Sequence, residues 1–168
     1  NFNFRNTQDY MFPSLNFNAD EISCAIGNSV LKKLPKIIKS RFNIVKILKK
    51  ELQKTKTLTV LEYDDNLVPS FFFCTIIIKK SILKVSKNLF IKALAAEGIP
   101  LNGNYKDILC EWKWLKKSNK FKKIKKSKNA INLRNNSFNL LFNENFSNKD
   151  IRMIVESVIK VEKYFCKK

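Results

Sequence analysis

The sequence predicts an α+β fold: a small antiparallel sheet of about three strands covered by helices. Several segments carry apolar residues at helical spacing behind recognisable caps. Few runs read as strands. Two of them adjoin across a short polar turn, and the remaining one is separated from them by helical segments. The length of 168 residues suits one domain or one lobe of a larger protein, and 45% hydrophobic residues is a globular composition.

Residues 1–15 have no clear period, and Pro13 with its polar neighbours suggests a connecting segment over 1–14, ahead of a domain over 15–168. The run Asn18-Ala19-Asp20-Glu21 opens the first helix. Asn18 is placed to cap it, and Glu21, three residues on, to complete a capping box. Ile22, Ile26 and Val30 then recur every fourth residue and give one apolar face over about 19–31. Gly27 inside that helix costs about 1 kcal/mol relative to alanine, which a close packing contact would explain, as would chance. Pro35 suits the first turn of a second helix. Its stripe is Ile38, Phe42, Val45, Leu48 and Leu52, running to about Lys54.

Thr57 to Tyr63 is rich in β-formers and reads as a strand, and Asp64-Asp65-Asn66 as a turn. Ser70 to Lys79 is a second strand, buried on both faces or nearly so; its apolar run is far too short to span a bilayer as a helix. Leu89, Phe90, Ala93, Leu94 and Ala96 mark a helix over Asn88 to Glu97, starting near Leu83 and ended by Gly98. Ile99-Pro100-Leu101 begins a short extended piece. Trp112 to Lys128 is the densest basic run and reads as an exposed loop or irregular helix. A short helix over Asn129 to Asn136 and a third strand over Phe138 to Phe142 follow. Ser147 caps the last helix with Asp150 as its capping-box partner; Ile151, Ile154, Val155, Val158 and Phe165 form its buried stripe.

The net charge of +19 invites a nucleic-acid reading. Lys, Asn, Ile and Phe, all with A/T-rich codons, are abundant together, and Lys far outnumbers Arg, the residue on which base-reading surfaces lean. Solvated lysine faces therefore account for the charge better than a specific nucleic-acid surface. The chain has no histidine, and Cys24, Cys74, Cys110 and Cys166 form no CxxC pair, which excludes histidine catalysis and Cys/His zinc sites. Cys24 and Cys74 sit in apolar runs and read as small core residues, so a reduced, cytoplasmic setting fits best. No run reads as a signal peptide, and a chain beginning at Asn1 suggests a fragment.

The run from Leu15 to Arg41 resembles the start of the small-domain region in DegT/StrS-type aminotransferases. That family shows N-x-(R/K)-(M/A), an acidic residue, A-A-I-G, L-x-x-L and a later Arg. Here these are Asn16-Phe17-Asn18-Ala19, Glu21, Cys24-Ala25-Ile26-Gly27, Leu31-Lys32-Lys33-Leu34 and Arg41. Three later blocks agree in order. They are the aromatic-start strand at Ser70-Phe71-Phe72-Phe73, the helix ending in Glu97-Gly98-Ile99-Pro100 before a loop with Tyr105, and the strand and helix at Phe138–Phe142 and Ser147–Ile151. The resemblance covers roughly residues 14 to 165.

The resemblance implies the small C-terminal domain of a fold-type I enzyme dependent on pyridoxal 5′-phosphate (PLP), with residues 1–14 leading in from a large domain that the chain lacks. Such enzymes work as homodimers and move an amino group from glutamate or glutamine onto a keto-sugar attached to a nucleotide. The cofactor lysine lies upstream of this segment, so the chain is expected to be inactive alone and to supply dimer interface and active-site wall. Asn16 takes the position of the family Asn that reaches the PLP phosphate of the neighbouring subunit, a charge-assisted bond for an amide N–H. Asn18, where many members carry Arg or Lys, and Tyr105 in the loop after Pro100 are the substrate-facing candidates. Two other readings stay open. One is a basic nucleic-acid-binding module that stacks bases on Trp112 and Trp114 amid lysines. The other is an interaction protein derived from the aminotransferase without its catalysis.

Overall fold

The structure is a computed structural model that describes residues 19–64, 66–103, 108–117 and 127–167. Its strands are β1 (Leu58–Val60), β2 (Cys74–Ile78), β3 (Leu101–Asn102) and β4 (Ser137–Leu140). They form one antiparallel sheet in the order β1-β2-β4-β3. The α+β class holds, and the strand beyond the expected three is β3. It is the extended piece after Gly98, paired through Leu101 with Leu140 and through Asn102 with Asn139.

Side chains alternate across a strand, so one set of the sheet's residues faces the core. Leu58, Val60, Cys74, Ile76, Ile78, Phe138 and Leu140 make that set. Along β2 buried and half-buried residues alternate, so the strand is buried on one face and nearly so on the other. The other face is covered only in part. The core face packs against α2 (Leu34–Glu51), α3 (Lys87–Ala96) and α6 (Asn148–Phe165), which bring Val45, Leu48, Phe90, Leu94, Ile151 and Val158 to it. On the far side, α5 (Lys128–Asn135) lies against β4.

Local chemistry explains the ends of these elements. Ser147 caps α6 in a complete capping box with Asp150, as the spacing implies. The expected stripe is buried from Ile151 to Val158 and continues through Val161; Phe165 packs beside the core, partly exposed. The helix α1 spans Glu21–Leu31. Its cap is Asp20, whose carboxylate accepts the Ser23 N–H at 2.8 Å, in place of the expected Asn18–Glu21 box. An ionised cap also suits the positive end of the helix dipole. Asn18 lies outside the described residues. The helix expected from Leu83 begins at Lys87, because Ser86 caps it and Leu83 is instead buried in a bridge to Cys166. Residues 113–117 of the basic run form the short helix α4 (Lys113–Lys117), and 118–126 lie outside the described residues.

One expectation about the first helix fails. Cys24 is exposed, whereas Cys74 is fully buried as expected. Among the described residues, none of α1 is buried and nothing approaches within 4 Å of where a Cβ on Gly27 would stand. Helical periodicity defines an apolar face without saying that this chain covers it.

Candidate functional site

Asn16, Asn18 and Tyr105 all lie outside the described residues, so the site is defined by the frame that carries the Tyr105 loop. After α3 the chain reverses at Gly98, whose φ of 86° is open to glycine at little cost. Ile99 is buried in the core, and the Pro100 carbonyl accepts the Leu141 N–H at 2.8 Å. β3 then joins the sheet edge beside β4, and Gly103 passes so close to α3 that an added Cβ would sit 2.8 Å from Ile91 Cγ2. The chain is described again from Ile108, which is buried.

Ile108 helps line a cavity of about 270 Å³ on the sheet face opposite the core, with Phe73, Thr75, Asn139, Leu133 and Arg134 among its walls. Its lining is mostly apolar, with Thr75, Ser137 and Asn139 contributing polar groups. The Thr75 hydroxyl donates to Asn139 Oδ1 at 3.2 Å, and the Ser137 hydroxyl to the Leu133 carbonyl at 2.6 Å. Arg134 is held by both oxygens of Glu111, one at 3.2 Å, so its charge is already matched. The cavity has room for a small group against mostly apolar walls. Among the described residues no group of three or more His, Cys, Asp or Glu could hold a metal ion.

A second cluster sets the strand that enters this face. Arg41, on α2, donates from Nε and Nη2 to Glu144 Oε2 at 3.0 and 2.8 Å, and from Nη1 to the Phe71 carbonyl at 3.1 Å. The Ser40 hydroxyl donates to the Glu144 carbonyl at 2.9 Å. Its own backbone N–H and the Arg41 guanidinium hold the Glu144 carboxyl below its ordinary range. Phe42, Tyr63 and Phe71 gather alongside with centroids 5.5–6.5 Å apart. One guanidinium thus ties α2 to the approach to β2 and to the turn after β4.

A cofactor-linking lysine needs a desolvated amine with free access. Among the described residues Lys87 has its pKa lowered, by burial and by nearby Lys80 and Arg134. Its Nζ donates to the Arg134 carbonyl at 2.8 Å, and it does not line the cavity. Lys87, held in this bond and away from the cavity, does not fit the role of a covalent anchor for PLP. Sequence reasoning singled out Arg41 but missed Glu144, Glu111 and Asn139. Isolated acids and an amide in a strand carry no periodic signal, and only the fold brings them to their partners.

A family model, the DegT/DnrJ/EryC1/StrS aminotransferase family, matches residues 3–159. No curated protein matches the sequence. Among solved structures, the chain is similar to Helicobacter pylori PseC, an aminotransferase involved in the biosynthesis of pseudoaminic acid. Identity is 20% and the TM-score 0.70, over 94% of this chain and 42% of that one. An aminotransferase from Psychrobacter cryohalolentis matches at 15% identity and TM-score 0.68, over 92% of this chain and 41% of that one. The Escherichia coli GDP-4-keto-6-deoxy-D-mannose-3-dehydratase, solved with bound hydrated PLP, matches at 23% and 0.66, over 88% of this chain and 37% of that one. The chain thus spans about two-fifths of the length of its solved relatives.

Proposed function

The chain belongs to the DegT/DnrJ/EryC1/StrS aminotransferase family, and on that premise we propose that it is the C-terminal part of a PLP-dependent aminotransferase acting on keto-sugar nucleotides. The observation that carries this reading is the match over residues 3–159 combined with coverage of only 37–42% of the solved relatives. The amino donor is glutamate or glutamine. The working form is a cytoplasmic homodimer in which this segment supplies dimer interface and one wall of the active site. Among the described residues no helix is long and apolar enough to cross a membrane.

PLP supplies the electron sink for amino-group transfer when it is bound. This chain's own residues position and enclose. Asn16 is the proposed donor to the cofactor phosphate of the neighbouring subunit, and Asn18 and Tyr105 are the proposed substrate contacts. The described residues nearest Tyr105 in the chain are β3 and Gly103, which lies close against Ile91.

The purified chain, mixed with PLP, glutamate and a 4-keto-sugar nucleotide, is expected to yield no amino sugar by mass spectrometry. The same mixture with a polypeptide that also carries the family's large domain is expected to yield it. Turnover by the 168-residue chain alone would overturn the division of labour proposed here.

A further inference from the structure

Two long stretches of the chain carry no acidic residue, and the fold brings them side by side. From Asn66 to Ala96 the only charges are Lys79, Lys80, Lys84, Lys87 and Lys92. From Trp112 to Asn143 they are nine lysines and Arg134. β2 and the turn after it belong to the first stretch, α5 and β4 to the second. The Ile78 N–H donates to the Asn136 carbonyl at 2.7 Å, and Lys87 Nζ to the Arg134 carbonyl at 2.8 Å. Where the stretches meet lies an open groove of about 380 Å³, with Ile78 and Lys80 on one side and Asn129, Asn132 and Asn136 on the other. Spaced three and four apart, the asparagines share one helix face. Lys79, Lys80 and Lys128 are exposed on or beside the two walls. Lys80 and Arg134 stand close enough to Lys87 to lower its pKa. Like charges crowded in this way gain from a bound anion. Glu111, the acid just ahead of the second stretch, is already bound to Arg134. Residues 118–126, directly before α5, add five lysines and no acid, so they cannot supply the counter-charge.

We propose that this groove holds the sugar–phosphate backbone of a single nucleic-acid strand without reading its bases. Lysine meets phosphate as a point charge, and asparagine amides donate to phosphate oxygens, whereas base reading leans on arginine. Asn132 Oδ1 accepts from Asn136 Nδ2 at 2.7 Å, which leaves Asn132 Nδ2 as the donor for a phosphate oxygen. A groove of this volume takes one strand rather than a duplex, and the flat face of a bilayer does not enter it. Binding of this kind is indifferent to sequence and steep in salt, because each phosphate contact releases counterions. The groove and its charge are independent of the aminotransferase reading, so either can fail without the other.

Fluorescence anisotropy of the full chain with fluorescein-labelled single-stranded DNA of about 20 nucleotides is expected to show micromolar binding at about 0.05 M salt, similar for two unrelated sequences. With about four phosphates contacted, affinity should fall roughly fifty-fold between about 0.05 and 0.2 M salt. Lys80→Gln combined with Lys128→Gln should weaken binding at least about tenfold at the lower salt and flatten the salt dependence. Lys36→Gln combined with Lys39→Gln removes the same charge from exposed positions on α2, across the sheet, and should change binding less than about twofold. Asn132→Asp keeps the acceptor for Asn136 but sets a carboxylate in the groove, and should weaken binding about fivefold or more. All five positions are exposed, so the variants should melt with the parent chain. Absence of binding at the lower salt would overturn the proposal. Equal losses from the two lysine pairs would do so too, since the charge would then act as a whole and not at the groove. Binding unchanged by Asn132→Asp would count against it in the same way, as would polyglutamate or phosphatidylserine vesicles held as tightly as the strand.

Discussion

The Glu162 carboxylate near the end of α6 closes the turn ahead of β1: its Oε1 accepts the Thr57 N–H at 2.7 Å and the Thr57 hydroxyl at 2.5 Å. The Lys56 N–H reaches both carboxylate oxygens, at 2.9 and 3.1 Å. Both Thr57 and Glu162 are buried. Glu162→Ala leaves two backbone donors and a hydroxyl without their acceptor. It should cost about 2–4 kcal/mol in urea denaturation, since hydrogen bonds to charged groups are the stronger ones and buried orphan donors are expensive. Glu162→Gln keeps one acceptor oxygen and should cost about half as much. Equal losses for the two substitutions would mean that packing, and not the carboxylate, holds the turn.

Arg41 should not tolerate lysine. The ion pair with Glu144 is partly exposed and contributes little by itself. What a lysine cannot reproduce is the fork that serves Glu144 and the Phe71 carbonyl together. Arg41→Lys should lower Tm by roughly 2–5 °C. It should raise deuterium uptake near Phe71 and Phe73 while leaving α3 protected. Uniform uptake throughout the chain would instead mark Arg41 as a general stabiliser.

Stability should fall at both ends of the pH scale, for different groups. Asp150, hydrogen-bonded by the Ser147 hydroxyl, Asp20, bonded by the Ser23 N–H, and Glu144 all have carboxyls held below their ordinary values. A group depressed on folding contributes stability that is fully present above its unfolded pKa and is lost as pH falls through the folded one. Lys160 is raised by its bond to Glu97, so its contribution is present below its unfolded pKa and is lost as pH rises through the folded one. Tm should therefore be flat between about pH 5 and 9 and fall below about pH 4. Asp150→Asn should flatten the acid limb; an unchanged limb would remove the capping box as a contributor.

What could be read from the sequence was what depends on neighbours along the chain. Ser147 and Asp150 lie three residues apart, and their box forms as that spacing implies. The stripe from Ile151 to Val158 needs only helical period, and Gly98 needs only its place after α3. What could not be read depends on partners far along the chain. Arg41 meets Glu144, and Thr57 meets Glu162, more than a hundred residues away. The face of α1 is the converse case: its apolar residues recur every fourth place, yet no residue of α1 is buried among the described residues, whereas α6 buries its stripe.

The two glycines that flank β3 should respond to alanine in different ways, which tests the frame of the Tyr105 loop. Gly98 has φ of 86° and open space where a Cβ would go. Gly98→Ala therefore carries only a backbone penalty, about 1–2 kcal/mol. Gly103 has no such backbone demand, but its Cβ would stand 2.8 Å from Ile91 Cγ2 and 3.3 Å from Cδ1. Ile91 is buried on α3 and β-branched, so it has few rotamers into which to retreat. Gly103→Ala must then push β3 and α3 apart, an overpacking cost of about 1–3 kcal/mol. Ile91→Ala makes room. In that background Gly103→Ala should cost much less than in the parent chain, while the cost of Gly98→Ala should stay the same, since only contacting sites couple. Urea denaturation of the two double-mutant cycles separates these cases. If Gly103→Ala cost as much without the isoleucine as with it, β3 would not be braced against α3 by this contact.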